Sequence, residues 1–151
     1  GQIGIDIAKV WPGKDAKGRP VVDVYSVDTY NSYLVVTTAA AFQRKLRAVQ
    51  SDMPYGLELH REIAEAHGVP FAVSEWSNNG DPQDLGKGGE APEYVRQMNE
   101  WFRQHAGDPK RPAPGKLLYE IHFNLQDQFE FLPTQFQPET AKAYRTLTWG
   151  R

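Results

Sequence analysis

Three short runs of the chain are dominated by apolar residues, and each stands next to a stretch whose apolar positions recur with helical spacing. The runs are residues 21–30 (VVDVYSVDTY), 71–76 (FAVSEW) and 117–124 (LLYEIHFN). Strands covered on both faces lose the polar–apolar alternation, so runs of this kind interleaved with helices predict a parallel β/α architecture. Between the first two, residues 39–50 carry Phe42, Leu46 and Val49 at helical spacing, and residues 57–67 place Leu59, Ile63 and Ala66 on one stripe. Gly68 can adopt the left-handed conformation that ends a helix, and Pro70 prevents continuation, so the second strand follows on a short connection. After that strand comes a long polar loop, residues 77–92. A helix follows with Tyr94, Met98, Trp101 and Phe102 on its apolar face, ending at Gly107. A Pro-rich link, residues 108–115, leads to the third strand. The remainder reads as a loop bearing Phe129, Phe131 and Phe136, expected to form a hydrophobic lid, and a closing helix from 139 to about 147.

The connections differ in length in an informative way. The one at Gly68 is short, whereas those after Tyr30, Trp76 and Asn124 are long. In β/α barrels the loops that follow strand C-termini build the active site. Side-chain alternation then nominates candidates, because successive strand residues point to opposite faces. In the first strand Ser26, Asp28 and Tyr30 share a face. In the second, alternation puts Phe71, Val73 and Glu75 on one face and Ala72, Ser74 and Trp76 on the other. In the third, Leu117, Tyr119, Ile121 and Phe123 form an apolar set expected to pack on helices, leaving Glu120, His122 and Asn124 to face the opposite side. A carboxylate near the end of an otherwise buried strand is costly unless it is paired, hydrogen-bonded or protonated. Asp28, Tyr30, Glu75, Glu120, His122 and Asn124 converge on one rim if the three strands are neighbours.

Composition narrows the function classes. The chain has 151 residues, with 17 Lys and Arg against 19 Asp and Glu, a net charge of −2 and a pI near 6.1. That balance lacks the basic excess of phosphate-backbone binders, so no nucleic-acid partner is expected. There is no cysteine, which excludes disulfides, thiolate zinc sites and cysteine nucleophiles. No run of about 18 apolar residues is present, so no membrane-spanning helix is expected. His60 and His67 do not form the H-E-x-x-H spacing and read as a solvated helix face, and Gly86, Gly88 and Gly89 lack the context of a phosphate loop. Neither a metal nor a cofactor is called for. The chain opens Gly1-Gln2-Ile3 without Met or a leader pattern, which suggests a processed, trimmed or excised product.

The succession WPG at 11–13, VVDVYSVDTYN at 21–31, YGLELHREIAEAHGVPFAVSEW at 55–76, EYVRQMNEWF at 93–102 and LYEIHFN at 118–124 resembles the last three β/α units of a clan A glycoside hydrolase. It is most similar to glycoside hydrolase family 26, which includes β-mannanases and related endo-β-glycanases. The likeness runs from about Trp11 to the end. The fold it implies is α/β: strands six to eight of a (β/α)8 TIM barrel, with strands one to five absent from this chain. A whole barrel takes about 250 residues, so a C-terminal portion is the expectation, with the missing N-terminal half or a partner segment completing it.

Carried over to this sequence, the resemblance implies a retaining endo-β-glycosidase acting on a polysaccharide or oligosaccharide. Glu75 is implied as the nucleophile and Tyr30 as the residue that orients it. Asp28, Trp76, His122 and Asn124 are the implied substrate-binding residues. A secreted or periplasmic location is implied as well. The acid/base Glu belongs to the fourth strand of such a barrel, outside this chain. Ser74 stands where relatives often have Pro, which leaves the substrate subclass open. The competing reading is a non-catalytic, carbohydrate-binding or structural half-barrel. It is separated from the first by whether a second Glu stands within about 5.5 Å of Glu75.

Overall fold

The computed structural model describes residues 10–32, 35–50, 52–81, 89–125, 129–132 and 136–149. Its elements, in order, are β1 (Tyr25–Asn31), α1 (Ala39–Leu46), β2 (Val49–Gln50), β3 (Met53–Pro54), α2 (Leu57–Ala66), β4 (Phe71–Asn78), α3 (Pro92–His105), β5 (Leu117–His122) and α4 (Pro138–Trp149). Strands β1, β4 and β5 form a three-stranded parallel sheet in that order, and β2 and β3 a small antiparallel ribbon. The chain is therefore α/β, with a parallel sheet flanked by helices. Among the described residues the sheet does not close into a barrel. No described helix is long and apolar enough to cross a membrane.

Local chemistry accounts for most boundaries. Thr38 caps α1, its hydroxyl oxygen accepting from the Ala41 N–H at 3.2 Å. The helix expected over 39–50 ends at Leu46, because Val49 and Gln50 pair with Pro54 and Met53 instead of continuing it. At the end of α2, Gly68 takes φ +78°, and the Val69 N–H reaches back to the Ala64 carbonyl at 3.0 Å. Pro92 opens α3, where the missing N–H of proline costs nothing. The first strand starts at Tyr25, later than its apolar run, and ends at Asn31. The second runs on to Asn78. Residues 82–88 of the long polar loop lie outside the described residues.

The sheet has one face packed on helices and one open. Phe71, Val73 and Trp76 are buried on the packed side, with Phe71 edge-on to Trp101 and Trp76 to Phe102, both from α3. Tyr25 reaches α2 through a 2.7 Å hydrogen bond with His60, so His60 is a packed residue and not part of a solvated face. On the other side Ser26 and Asp28 are exposed, and so are Tyr119 and Ile121, at 43% and 52%.

Two slips of register produce this division, and both correct the alternation read from sequence. Val27 pairs with Val73 but Asp28 pairs with Glu75, so Ser74 is an extra residue on β4. Ser74 and Glu75 consequently share the open face: the Ser74 hydroxyl donates to Ser26 at 2.8 Å and Glu75 accepts from Tyr30. Trp76 falls into step with Phe71 and Val73. On β5 the pairing moves from Phe71–Leu117 to Val73–Glu120 and then Trp76–His122. An extra residue on β5 is thus followed by the extra one on β4, and the strands stay aligned. The slip in β5 reverses its expected facing: Glu120 and His122 turn to the helices, while Tyr119 and Ile121 lie on the open face.

Trp76 is the hub of the packed side, 1% exposed, with ring contacts to Tyr94, Phe102, His122 and Tyr144 and its indole N–H donating to Glu120 at 2.5 Å. Replacing it with alanine removes a large buried ring and strands a carboxylate. Trp76→Ala is expected to cost about 3–5 kcal/mol of stability, measured as a shift of the urea unfolding midpoint.

Candidate active site

The open face near the C-terminal end of the sheet carries the carboxylate expected to do chemistry. Glu75 stands there half-buried and accepts a short hydrogen bond on Oε2 from the Tyr30 hydroxyl of the neighbouring strand. Parallel pairing brings them together: Asp28 is the register partner of Glu75, and Tyr30 lies two residues further along the same face of β1. Burial, reinforced by the hydrogen bond to Glu75 and then by the charges of Glu75 and Asp28, holds the Tyr30 phenol well above its ordinary pKa. It therefore remains a donor at every physiological pH. Asp28 is exposed beside Glu75, and partial desolvation together with the Glu75 charge raises its pKa. Phe129 and Phe123 pack on the Tyr30 ring with centroids 4.8 and 6.0 Å away, fixing the ring that carries the hydroxyl.

The other expected site residues are placed differently. Trp76, expected to adjoin a sugar, is in the core, because the extra residue at Ser74 rotates it to the helix side. His122 stands on the same side, stacked on Phe131 with centroids 4.2 Å apart and 3.2 Å from the Ser77 hydroxyl. Burial lowers its pKa to about 4, so the imidazole is neutral at pH 7. Asn124 is exposed, but its amide is engaged with backbone: Oδ1 accepts from Phe131 and Leu132 at 2.8 and 3.2 Å, and Nδ2 donates to the Leu132 carbonyl. It holds the Phe131–Leu132 backbone. Of the three phenylalanines expected as a lid, Phe131 is fully buried, Phe129 lies against Tyr30 and Phe136 is 39% exposed.

Sequence reasoning missed the residues that tie the rim together. Asn31, Asn78 and Gln137 are buried at the strand ends and bond one another, with Asn31 Nδ2 to Asn78 Oδ1 and Asn78 Nδ2 to Gln137 Oε1 both at 2.7 Å. Asn31 also clamps Val36 through both its N–H and its carbonyl, and Asn78 donates to the Gly89 carbonyl. Gly80 passes so close to Gln137 that an added Cβ would lie 2.6 Å from its side chain. Glu90 accepts from the N–H groups of Glu139 and Thr140 at the start of α4, at 3.0 and 2.9 Å. The signal available in the sequence was an asparagine at the end of each of two buried strands, Asn31 and Asn78.

In this chain the site is an exposed sheet surface. A cleft of about 220 Å³ lies elsewhere, among α1, α2 and α3, lined by residues including Arg47, Glu58 and His105. Among the described residues no group of three potential ligands could hold a metal ion. Neither a protein-family model nor a curated protein nor a solved structure matches the chain.

The half-buried, neutral His122 gives a pH signature. Its pKa is 6.5 when unfolded and about 4 when folded, so between those values the unfolded chain binds the extra proton. Stability contributed by this group is full above pH 6.5 and is lost as the pH falls towards 4. His60 and His105, also lowered by burial, add to the same trend. His122→Phe is expected to flatten the slope of stability against pH between about 6.5 and 4, measured by denaturant unfolding across that range.

Proposed function

We propose that the chain is the nucleophile-bearing part of a retaining endo-β-glycosidase of the β-mannanase-like kind, with Glu75 as the nucleophile. The observation that carries this reading is the Tyr30–Glu75 hydrogen bond at the C-terminal end of adjacent parallel strands. That arrangement agrees with the resemblance to glycoside hydrolase family 26 in the ordered blocks around Tyr30, Glu75 and the third strand. It also suits the chemistry. A nucleophilic carboxylate must stay ionised and hold one oxygen free for attack, and a phenol bonded to the other oxygen keeps it oriented without competing for the attacking one.

In the proposed reaction Glu75 Oε1 attacks the anomeric carbon, the glycosidic C–O bond breaks, and the departing oxygen takes a proton from a second carboxyl. Water, deprotonated by that second group, then cleaves the glycosyl ester and frees Glu75. The second carboxyl sits about 5–5.5 Å from the nucleophile in a retaining enzyme. We assign it to barrel strands outside this chain. Asp28 is a poor substitute, since it flanks Glu75 on the adjacent strand and shares its face. In this reading Asp28 lines the sugar pocket, while Trp76 and His122 support the strand from behind. The exposed Tyr119 and Ile121 point into what the closed barrel encloses.

The test is the chain expressed together with its upstream coding sequence and assayed for reducing-sugar release from β-mannan, mixed-linkage glucan and xylan. Glu75→Gln is expected to lower kcat by at least about a thousandfold. A 2-fluoro glycoside should label the Glu75 peptide by mass spectrometry, and undiminished hydrolysis by the variant would overturn the assignment. Tyr30→Phe removes one charge-assisted hydrogen bond and is expected to cost roughly 10- to 100-fold in kcat with little change in KM. Sugar binding without hydrolysis would favour a carbohydrate-binding remnant.

A further inference from the structure

We propose that Lys45 is a positioning residue for Glu75: from α1 its ammonium holds the backbone that carries Tyr30, so that loss of its proton loosens the hydrogen bond between Tyr30 and Glu75. The proposal rests on Glu75 being the nucleophile for its catalytic consequence, but the coupling itself is a property of this fold.

Lys45 is 6% exposed, a rare environment for lysine. Its Nζ donates to the Tyr30 carbonyl at 2.8 Å and lies 5.9 Å from the centre of the Tyr55 ring. Tyr30 is thus held at two ends, at its carbonyl by Lys45 from the helix layer and at its hydroxyl by Glu75 on the open face. Thr29, Phe42, Leu46, Leu57, Tyr94 and Met98 line the same small cavity, which an apolar side chain could fill. Keeping an ammonium there instead carries a desolvation cost, and burial lowers the Lys45 pKa to about 8. A group maintained at that cost and bonded to the residue that touches Glu75 has a positional use.

Among the described residues, the titratable ones facing Lys45 are the tyrosines Tyr94, Tyr30 and Tyr55. From α3 comes Tyr94 and from β1 Tyr30, both phenols pushed up by burial and neutral throughout. Tyr55 comes from the turn before α2. On α2 itself Leu57 faces the cavity, while Glu58 turns to Arg61, Trp101 and His105. Arg44 of α1 and Arg47 at its C-terminal cap are exposed.

Between pH 8 and 10.5 the unfolded chain holds more protons at this lysine than the folded one, so this group makes global stability rise with pH. Over the same range the charge-assisted bond to Tyr30 weakens and the site loosens. Stability and site order are therefore expected to move in opposite directions with pH.

The experiment follows the Tyr30 ring carbon bearing the hydroxyl and the Lys45 Cε carbon by NMR against pH, in the chain as it is. Expected are a shared midpoint near pH 8, loss of the Tyr30 step in Lys45→Met, and its loss in Lys45→Arg, where the charge persists. Lys45 titration should persist in Glu75→Gln. A Tyr30 step that survives either lysine substitution, or a Lys45 midpoint near 10.5, overturns the proposal. If Lys45→Met does not fold, the arginine variant decides alone. In the barrel-completed enzyme Lys45→Met should lower kcat about tenfold at unchanged KM, and Lys45→Arg should restore it and abolish the alkaline decline. An unchanged kcat in Lys45→Met overturns the catalytic consequence. Undiminished hydrolysis by Glu75→Gln would instead refute the nucleophile reading and leave the NMR coupling standing.

Discussion

A parallel sheet has no freedom to turn one side chain without turning every residue after it, and the extra residue at Ser74 uses that constraint. One position of slip between Val27–Val73 and Asp28–Glu75 sets two consecutive β4 residues on the open face and sends Trp76 into the helix layer. Without it, Glu75 would follow Phe71 and Val73 into the apolar core, where an ionised carboxylate is costly. The counterpart on β5 keeps the third strand in register, and it lets Glu120 meet the Trp76 indole and His122 pack beneath Phe131. The buried tryptophan and the presented carboxylate are two outcomes of a single backbone irregularity.

The rim depends on polar groups that sit where the strands stop. At these ends the ladder no longer satisfies backbone donors and acceptors, and side-chain amides take over. Asn31 bonds the Val36 backbone, and Asn78 bridges Asn31, Gly89 and Gln137. Glu90 anchors the first turn of α4. Val36, Gly89 and Gln137, far apart in sequence, are thereby tied to the strand ends beyond Glu75. Aromatic packing on Tyr30 continues the same restraint onto the open face.

Charge is distributed with equal economy. On the open face, Asp28 and Glu75 repel, and the Tyr30 hydroxyl offsets part of that repulsion by donating to Glu75. Behind the sheet, burial keeps His122 neutral and brings Lys45 closer to neutrality than a surface lysine. For the proposed glycosidase this is a workable division. The negative group faces the region where positive charge develops on a sugar ring, and the responsive groups stand behind it, where they act through backbone and packing.

Apart from β2 and β3, which the helical spacing of Val49 concealed, the sequence by itself determined the order of the parallel strands and the helices around them, the stop at Gly68 and Pro70, and the long connections after each strand. These follow from periodicity, from the fixed φ of proline, and from the habit of consecutive β/α units to lie side by side. Which way Glu75, Trp76, Glu120 and His122 face, and hence the meeting of Glu75 with Tyr30, was decided only by the tertiary structure. Alternation has a period of two, and one inserted residue inverts everything beyond it without leaving a mark on composition. The same holds for Lys45, whose burial no local pattern in the sequence signals. Its ammonium finds the Tyr30 carbonyl, a contact created by packing between segments.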